Sequence, residues 1–302
     1  MLFSCERLRV DSDGGVLIDD LTCAADGGRV ALVGDFSAVA AALSGRARIV
    51  HGSLKVLETA AVTAVAKGTL GLALGDARFN PSWTALDLLE KSAMLSGLGK
   101  KAARARGASV LTRLGLPWLA LRVMGRLSRA EFMALELVKA LLTEPEIVFV
   151  QAPLRGLTSA DADWLWPLVE RAGHERRLIV SFDSALLADR ARLARFDQLV
   201  VLHQGRVTGS GTPEALLAPS GYLVSVTRGG ALLRRALEDR GATVQHADAG
   251  DDQPTQLLVT SQHAELGQWI AHDAVAHGVP VIELVPLPGA STDAAGDASL
   301  GR

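Results

Sequence analysis

Apolar residues recur along this chain in short runs, and the polar clusters between them divide it into alternating strands and helices. Residues 2–5, 16–18 and 29–33 are β-rich runs bounded by Asp/Gly clusters, which predicts three strands, the last closing at Gly34. Residues 38–43 follow as a short alanine-rich helix, so the chain runs strand, tight turn, helix. Helical spacing returns over 83–98 and 101–114, punctuated by Pro81 and Gly99. Ser128 and Glu131 have the spacing of a capping box ahead of an apolar helix over 132–142. Residues 147–150 form a continuous apolar run of the kind buried on both faces of a parallel sheet. Helix 159–172, strand 178–181, helix 184–193 and strand 198–202 then alternate, which predicts an α/β sheet with right-handed crossovers.

A second pattern begins after Gly221. Strand 222–226, helix 230–240, strands 243–245 and 256–260, helix 264–277 and strand 280–284 follow in the order βαββαβ, the order of a ferredoxin-like α+β domain. Residues 289–302 are rich in Ala, Gly, Ser and Asp without periodicity, and are expected to be a disordered tail.

Composition narrows the class. At 302 residues, 49% hydrophobic and 21% charged, the chain has the balance of a globular protein of about two domains. A net charge of −2 supplies no bulk attraction to nucleic acid or anionic lipid, so no nucleic-acid partner is expected and any such binding needs a local basic patch. Cys5 and Cys23 are too few for a disulfide framework and match no zinc or redox spacing, which fits a reducing, cytoplasmic setting. No metal site is expected: His272 and His277 lie five apart on a helix, and His246 and His263 have no acidic or cysteine partner at ligand spacing. The most apolar window, 59–74, is broken by Lys67 and Gly68 and falls short of the ~18–20 residues that cross a bilayer. Membrane association would then come only through another chain.

Several short motifs gain meaning from their order. Asp19-Asp20-Leu21 precedes Gly27-Gly28, and His51-Gly52-Ser53-Leu54-Lys55-Val56 follows the first helix. Leu127-Ser128, Glu144-Pro145-Glu146, Pro153 with Gly156-Leu157, and Leu202-His203-Gln204-Gly205-Arg206 leading to Gly209-Ser210-Gly211-Thr212-Pro213-Glu214 come next. This succession resembles the ATP-binding cassette (ABC) ATPases, in particular the exporter branch that often carries a small carboxy-terminal domain. The resemblance covers roughly residues 2–217 and, more weakly, 221–285. It implies a P-loop NTPase-like ABC ATPase domain over 1–217 with a helical subdomain at about 80–140, then a ferredoxin-like domain over 221–286.

The residues that carry the family's chemistry are a different matter. Its phosphate loop, G-x-x-x-x-G-K-[ST], cradles phosphates on glycine amides and reaches the terminal pair with a lysine. Here Gly34 is followed by Asp35-Phe36-Ser37, the loop is about four residues short, and Lys55, beyond the helix, is the first lysine in the chain. Where the family places an aspartate for Mg²⁺ and a glutamate for the attacking water, Gln151-Ala152 stand. Gly75 occupies the place of the metal-sensing glutamine, Phe182 that of the switch histidine, and Thr158 that of the inter-subunit aspartate. The signature loop keeps Ser128 but adds the side chains of Arg129 and Ala130.

A micromolar nucleotide site is worth about −8 kcal/mol, and each lost charge-assisted hydrogen bond costs about 1.5–3 kcal/mol. No nucleotide is therefore expected in this chain's own pocket, and ATP and Mg²⁺ are expected only in a partner subunit. Phe36 and Phe182 could plug the vacant pocket or be core aromatics; Gln151 could bind a ligand or be a satisfied strand-end amide. Phe79, Trp83, Leu86 and Leu89 are either core or the groove that, by the resemblance, receives a permease. The basic run 100–106 is a solvated helix face or a contact with lipid headgroups. The leading expectation is a degenerate subunit, a pseudo-ATPase that partners a permease, an intact ABC ATPase subunit or both in an export complex. The alternatives are a soluble scaffold or regulator, and a weakly active ATPase.

Overall fold

The computed structural model describes residues 1–287 apart from 77–78, 185–188, 204, 218–220, 248–254 and 262–264. The expected tail, 289–302, lies outside the described residues. The chain divides into two units, residues 1–213 and 214–302.

In the first unit an antiparallel sheet is built from β1 (Phe3–Ser12), β2 (Gly15–Ala25), β4 (Arg48–Val56) and β5 (Thr59–Ala60), in the order β2-β1-β4-β5. β1 and β2 run well past the apolar stretches seen in the sequence, because one face of this ladder is solvated and polar residues extend it. The second sheet has six strands in the order β10-β9-β3-β8-β7-β6: β6 (Leu70–Ala73), β7 (Ile147–Gln151), β8 (Arg177–Phe182), β3 (Arg29–Val33) and β9 (Gln198–His203) are parallel, and β10 (Arg206–Gly211) closes the edge antiparallel. β3 lies between β8 and β9, which is why four of its five residues are buried.

Side chains alternate across this sheet. Val30, Leu32, Ile147, Phe149, Ile179 and Val200 enter one core with α1 (Ser37–Leu43) and α2 (Ala61–Ala66). From the opposite face Phe182 meets Trp166 of α6 (Ser159–Ala172). Between β6 and β7 comes a helical stretch, α3 (Ala85–Leu95), α4 (Lys100–Arg113) and α5 (Arg129–Ala140). α3 starts at Ala85 because Thr84 and Asp87 form a capping box, and Ser128 with Glu131 form the capping box foreseen at α5. Of the helix read over 184–193, the described part is α7 (Arg190–Leu193), capped by Asp189. α8 (Pro213–Leu217) follows β10 in the sequence.

The second unit is an antiparallel sheet of β11 (Gly221–Val226), β12 (Thr243–Ala247), β13 (Thr255–Thr260) and β14 (Val281–Leu287), ordered β12-β13-β11-β14. With α9 (Gly230–Asp239) and α10 (Leu266–Ala276) it makes the βαββαβ, ferredoxin-like arrangement around a core of Val224, Leu233, Leu237, Leu257, Val259 and Ile270.

Candidate functional site

The site to examine is the carboxyl end of β3 and its neighbours, where an open α/β sheet binds ligands. Three residues, Gly34 to Phe36, join β3 to α1. Gly34 donates its N–H to the Phe182 carbonyl at 2.8 Å, and its φ is +125°. A Cβ built there would lie 2.2 Å from the backbone oxygen of Leu202, so the turn threads between β8 and β9 with no room for a side chain. Asp35 is exposed and its Oδ1 accepts from the Ser37 N–H at 3.0 Å, which occupies an amide at the start of α1. Phe36 is 1% exposed and belongs to the core with Val39, Leu43, Leu32 and Phe149. The helix docks by that core, and Phe36 anchors its first turn. Lys55 sits in β4, paired with Ser4 of β1 and Ala60 of β5, in the antiparallel sheet.

Phe182 has a different environment. Its ring centroid lies 5.9 Å from that of Trp166 and 5.7 Å, edge-on, from that of Phe196, making an aromatic core on the α6 side. Phe36 and Phe182 are therefore both buried, on opposite faces of the sheet, and Phe182 is a core aromatic rather than a plug. Gln151, at the end of β7, departs from the expected satisfied amide: its Oε1 is buried without a hydrogen-bond partner among the described residues. The next residue, Ala152, has φ +40°, and its N–H reaches the backbone oxygen and the Oγ of Ser181 at 3.0 and 3.1 Å. The chain turns sharply there, and the polar end of Gln151 is left inside the turn.

Sequence reasoning missed the charged group beside this turn. Arg155 Nε donates to both carboxylate oxygens of Asp183, at 3.1 and 3.0 Å, and Nη2 adds a further contact to Oδ1. The bond to Asp183 chiefly, and the charge of Asp35 after it, raise the Arg155 pKa. Arg129 Nε donates to the Arg155 carbonyl at 2.6 Å, so the first turn of α5 is tied to the loop before α6. The half-exposed Arg155–Asp183 pair thus joins the loops that follow β7 and β8, and Arg129 ties the start of α5 to the first of them. The signal was present in Asp183, directly after Phe182, and in Arg155 of Leu154-Arg155-Gly156, but residues 28 apart pair only once β7 and β8 lie side by side.

The remaining expected positions are held by local structure. Ser128 accepts from the Glu131 N–H at 3.1 Å while its own N–H donates to Glu131 Oε2 at 2.7 Å, and Arg122 Nη2 holds that carboxylate at 3.2 Å. Thr158 caps α6 through Asp161. Gly75 has φ +70°, and a Cβ on it would meet the Met133 sulfur at 2.9 Å. Asp76 beside it pairs with Arg46.

The proposed docking set splits. Leu86 and Leu89 are buried and face Gly107 of α4, where a Cβ would meet Leu89 at 2.9 Å; they are core, because α3 and α4 pack closely there. Phe79 and Trp83 stay half-buried, Phe79 with its ring 4.8 Å from that of Phe132, Trp83 with Lys91 Nζ 4.8 Å above its ring. Further along α3, Leu95 is 91% exposed and, with Leu98, Val65 and Leu142, rims a cavity of about 950 Å³. Arg104 and Arg106 of the basic run are ion-paired, with Glu90 and Glu144, while Lys100 and Lys101 are exposed. Among the described residues no group of three or more His, Cys, Asp or Glu is placed to hold a metal, and no helix is long and apolar enough to cross a membrane.

The fold is that of the ATP-binding cassette ATPases. The protein "cbiO1" of Clostridium perfringens, part of an ABC transporter complex, superimposes with a TM-score of 0.57 at 16% identity, covering 70% of this chain and 89% of that one. A solved ATP-binding subunit of an ABC transporter does so with a TM-score of 0.57 at 20% identity, covering 80% and 96%.

In sequence the chain is similar to ATP-binding proteins of ABC transporters. It is 37% identical over 109 residues to molybdenum import ATP-binding protein ModC 1 of Azotobacter vinelandii, a match covering 36% of this chain and 30% of that protein. It is 29% identical over 188 residues to ModC of Rhodopseudomonas palustris, covering 59% and 47%, and 28% identical over 142 residues to the lipoprotein-releasing system ATP-binding protein LolD of Syntrophotalea carbinolica, covering 47% and 61%. The chain thus spans less than two thirds of the length of these curated relatives. No family model matches it.

Proposed function

We propose that this chain is a non-hydrolysing counterpart of the ABC transporter ATP-binding subunits, working by shape in a membrane transport complex with a permease, an intact ATPase subunit, or both. The observation that carries the reading is the three-residue turn from Gly34 to Phe36, with Phe36 buried in the core. A phosphate loop needs a run of free amides and a lysine at the start of the helix. Here one amide is taken by Asp35, an aromatic ring holds the helix down, and no lysine precedes Lys55. Gln151 and Ala152 bring no carboxylate charge to a Mg²⁺ shell, and neither can accept a proton from water. Any ATP and Mg²⁺ of the complex would sit on a partner subunit.

Transport rests on the similarity to transporter subunits and on the half-exposed Phe79 and Trp83, with Leu95 beyond them, along the helical stretch. The relatives named above are two import proteins and one from a lipoprotein-releasing system, so their names lend the exporter branch no particular support. The test is Mg²⁺-ATP hydrolysis by the purified full chain. The expected result is no turnover above a buffer blank; a rate that scales with protein and survives repurification overturns the proposal.

A further inference from the structure

β3 has a second end. Arg29, its first residue, lines a cavity of about 860 Å³ whose other charged walls are Glu170, Arg171, His174, Arg176 and Arg195. Four arginines face one glutamate, and that glutamate is already paired with Arg195. In a chain of net charge −2 this is a local concentration of positive charge. Two of the arginines are fixed by backbone rather than by acids: Arg171 Nη1 donates to the Leu114 carbonyl at 2.8 Å, and Arg176 Nε donates to the Pro145 carbonyl at 3.1 Å. Each bond sets the position of a guanidinium and leaves its other N–H groups for a ligand.

Arg29 adds the decisive feature. Its guanidinium stands 5.9 Å from the centre of the Phe196 ring, and its Nε and Nη2 are buried with no hydrogen-bond partner among the described residues. Those two nitrogens form the side-on fork of a guanidinium, the edge that matches two oxygens of a carboxylate or phosphate. Asp197, which lies close by, does not fill it; its Oδ2 accepts instead from the backbone N–H groups of Gly28 and Arg29 at 2.7 and 2.8 Å. Burying charged donors without an acceptor is unfavourable. An oxyanion in the adjoining cavity, which Arg29, Arg171 and Arg176 all line, would supply the acceptor those donors lack.

We propose that this hollow binds a small phosphate-bearing molecule. Its volume lies within the range of small-molecule sites. It is one strand length, roughly 15 Å, from Gly34, and it stands or falls independently of the reading of the nucleotide pocket.

The experiment is calorimetric titration of the full chain with inorganic pyrophosphate as the probe. Saturable binding is expected, weakened about tenfold or more in Arg176→Gln and again in Arg29→Gln, with circular dichroism melts confirming that each variant is folded. If Arg29→Gln fails to fold, Arg195→Gln takes its place, since Arg195 is exposed and its ion pair among the described residues is with Glu170. Absence of saturable binding, or equal affinity in the parent and both variants, overturns the proposal. So does binding to anionic vesicles or duplex DNA that pyrophosphate fails to compete away, because the patch would then serve a macromolecular surface.

Discussion

Truncating Phe36 to alanine tests the central claim about the turn that follows β3. A phenylalanine buries on the order of 150–250 Å², and this one is 1% exposed among Val39 and Leu43 of its own helix and Leu32 and Phe149 of the sheet. Those neighbours are held by the helix and by the strand ladder, so the hole cannot close by side-chain rotation alone. The expected loss is about 3–5 kcal/mol, the range for burying nothing where a core phenylalanine stood. For a unit of this size each kcal/mol lowers the thermal midpoint by roughly 2–4 °C, so the first unit should melt roughly 6–20 °C lower. Phe36→Leu, which keeps most of the volume, should lose only about 1 kcal/mol.

The assay is thermal and urea unfolding of the full chain, followed by tryptophan fluorescence, with and without millimolar Mg²⁺-ATP. Four of the five tryptophans, Trp83, Trp118, Trp164 and Trp166, lie in the first unit and report on it. The cavity left behind is walled by apolar groups with no lysine, so nucleotide should stabilise neither parent nor variant. A loss below about 1 kcal/mol would refute the burial argument. A nucleotide-induced rise in the variant's midpoint alone would show instead that Phe36 had been filling a competent site.

Two further outcomes follow from other parts of the molecule. Trp83→Ala, at a half-buried ring beneath Lys91, should weaken co-purification with membranes by about 2 kcal/mol or more if the ring anchors an interface while leaving the midpoint nearly unchanged; unfolding instead assigns Trp83 to the core, and no effect on either favours the scaffold reading. The Thr84 side chain and amide, with Arg104 behind them, hold the Asp87 carboxyl below its usual pKa. A depressed folded pKa adds stability above the unfolded value, and that stability is lost as pH falls through the folded one. Asp87→Ala should therefore cost about 0.5–1 kcal/mol at neutral pH, the gap from the parent closing below about pH 4. A gap that persists in acid refutes the assignment.

How much of this was legible in the residues depends on the range over which each feature is set. The capping box at Ser128, the strand-turn-helix at Gly34, the missing lysine and the βαββαβ order are local matters of spacing, and spacing is what a sequence records. The length of the turn before Phe36 was readable for the same reason. Which way a side chain faces was not. Phe36 and Phe182 look alike in the chain, yet strand alternation and the placement of α1 and α6 send them into different cores. Leu86 and Leu89 share an apolar stretch with Trp83, but only the close packing of α4 at Gly107 buries the first two and leaves the third half-exposed. The Arg155–Asp183 pair and the basic hollow around Arg29 join residues far apart in sequence, because parallel strands bring their ends together across long crossovers. Local chemistry selects the elements; adjacency in the sheet decides which charges meet and which donors are left without an acceptor.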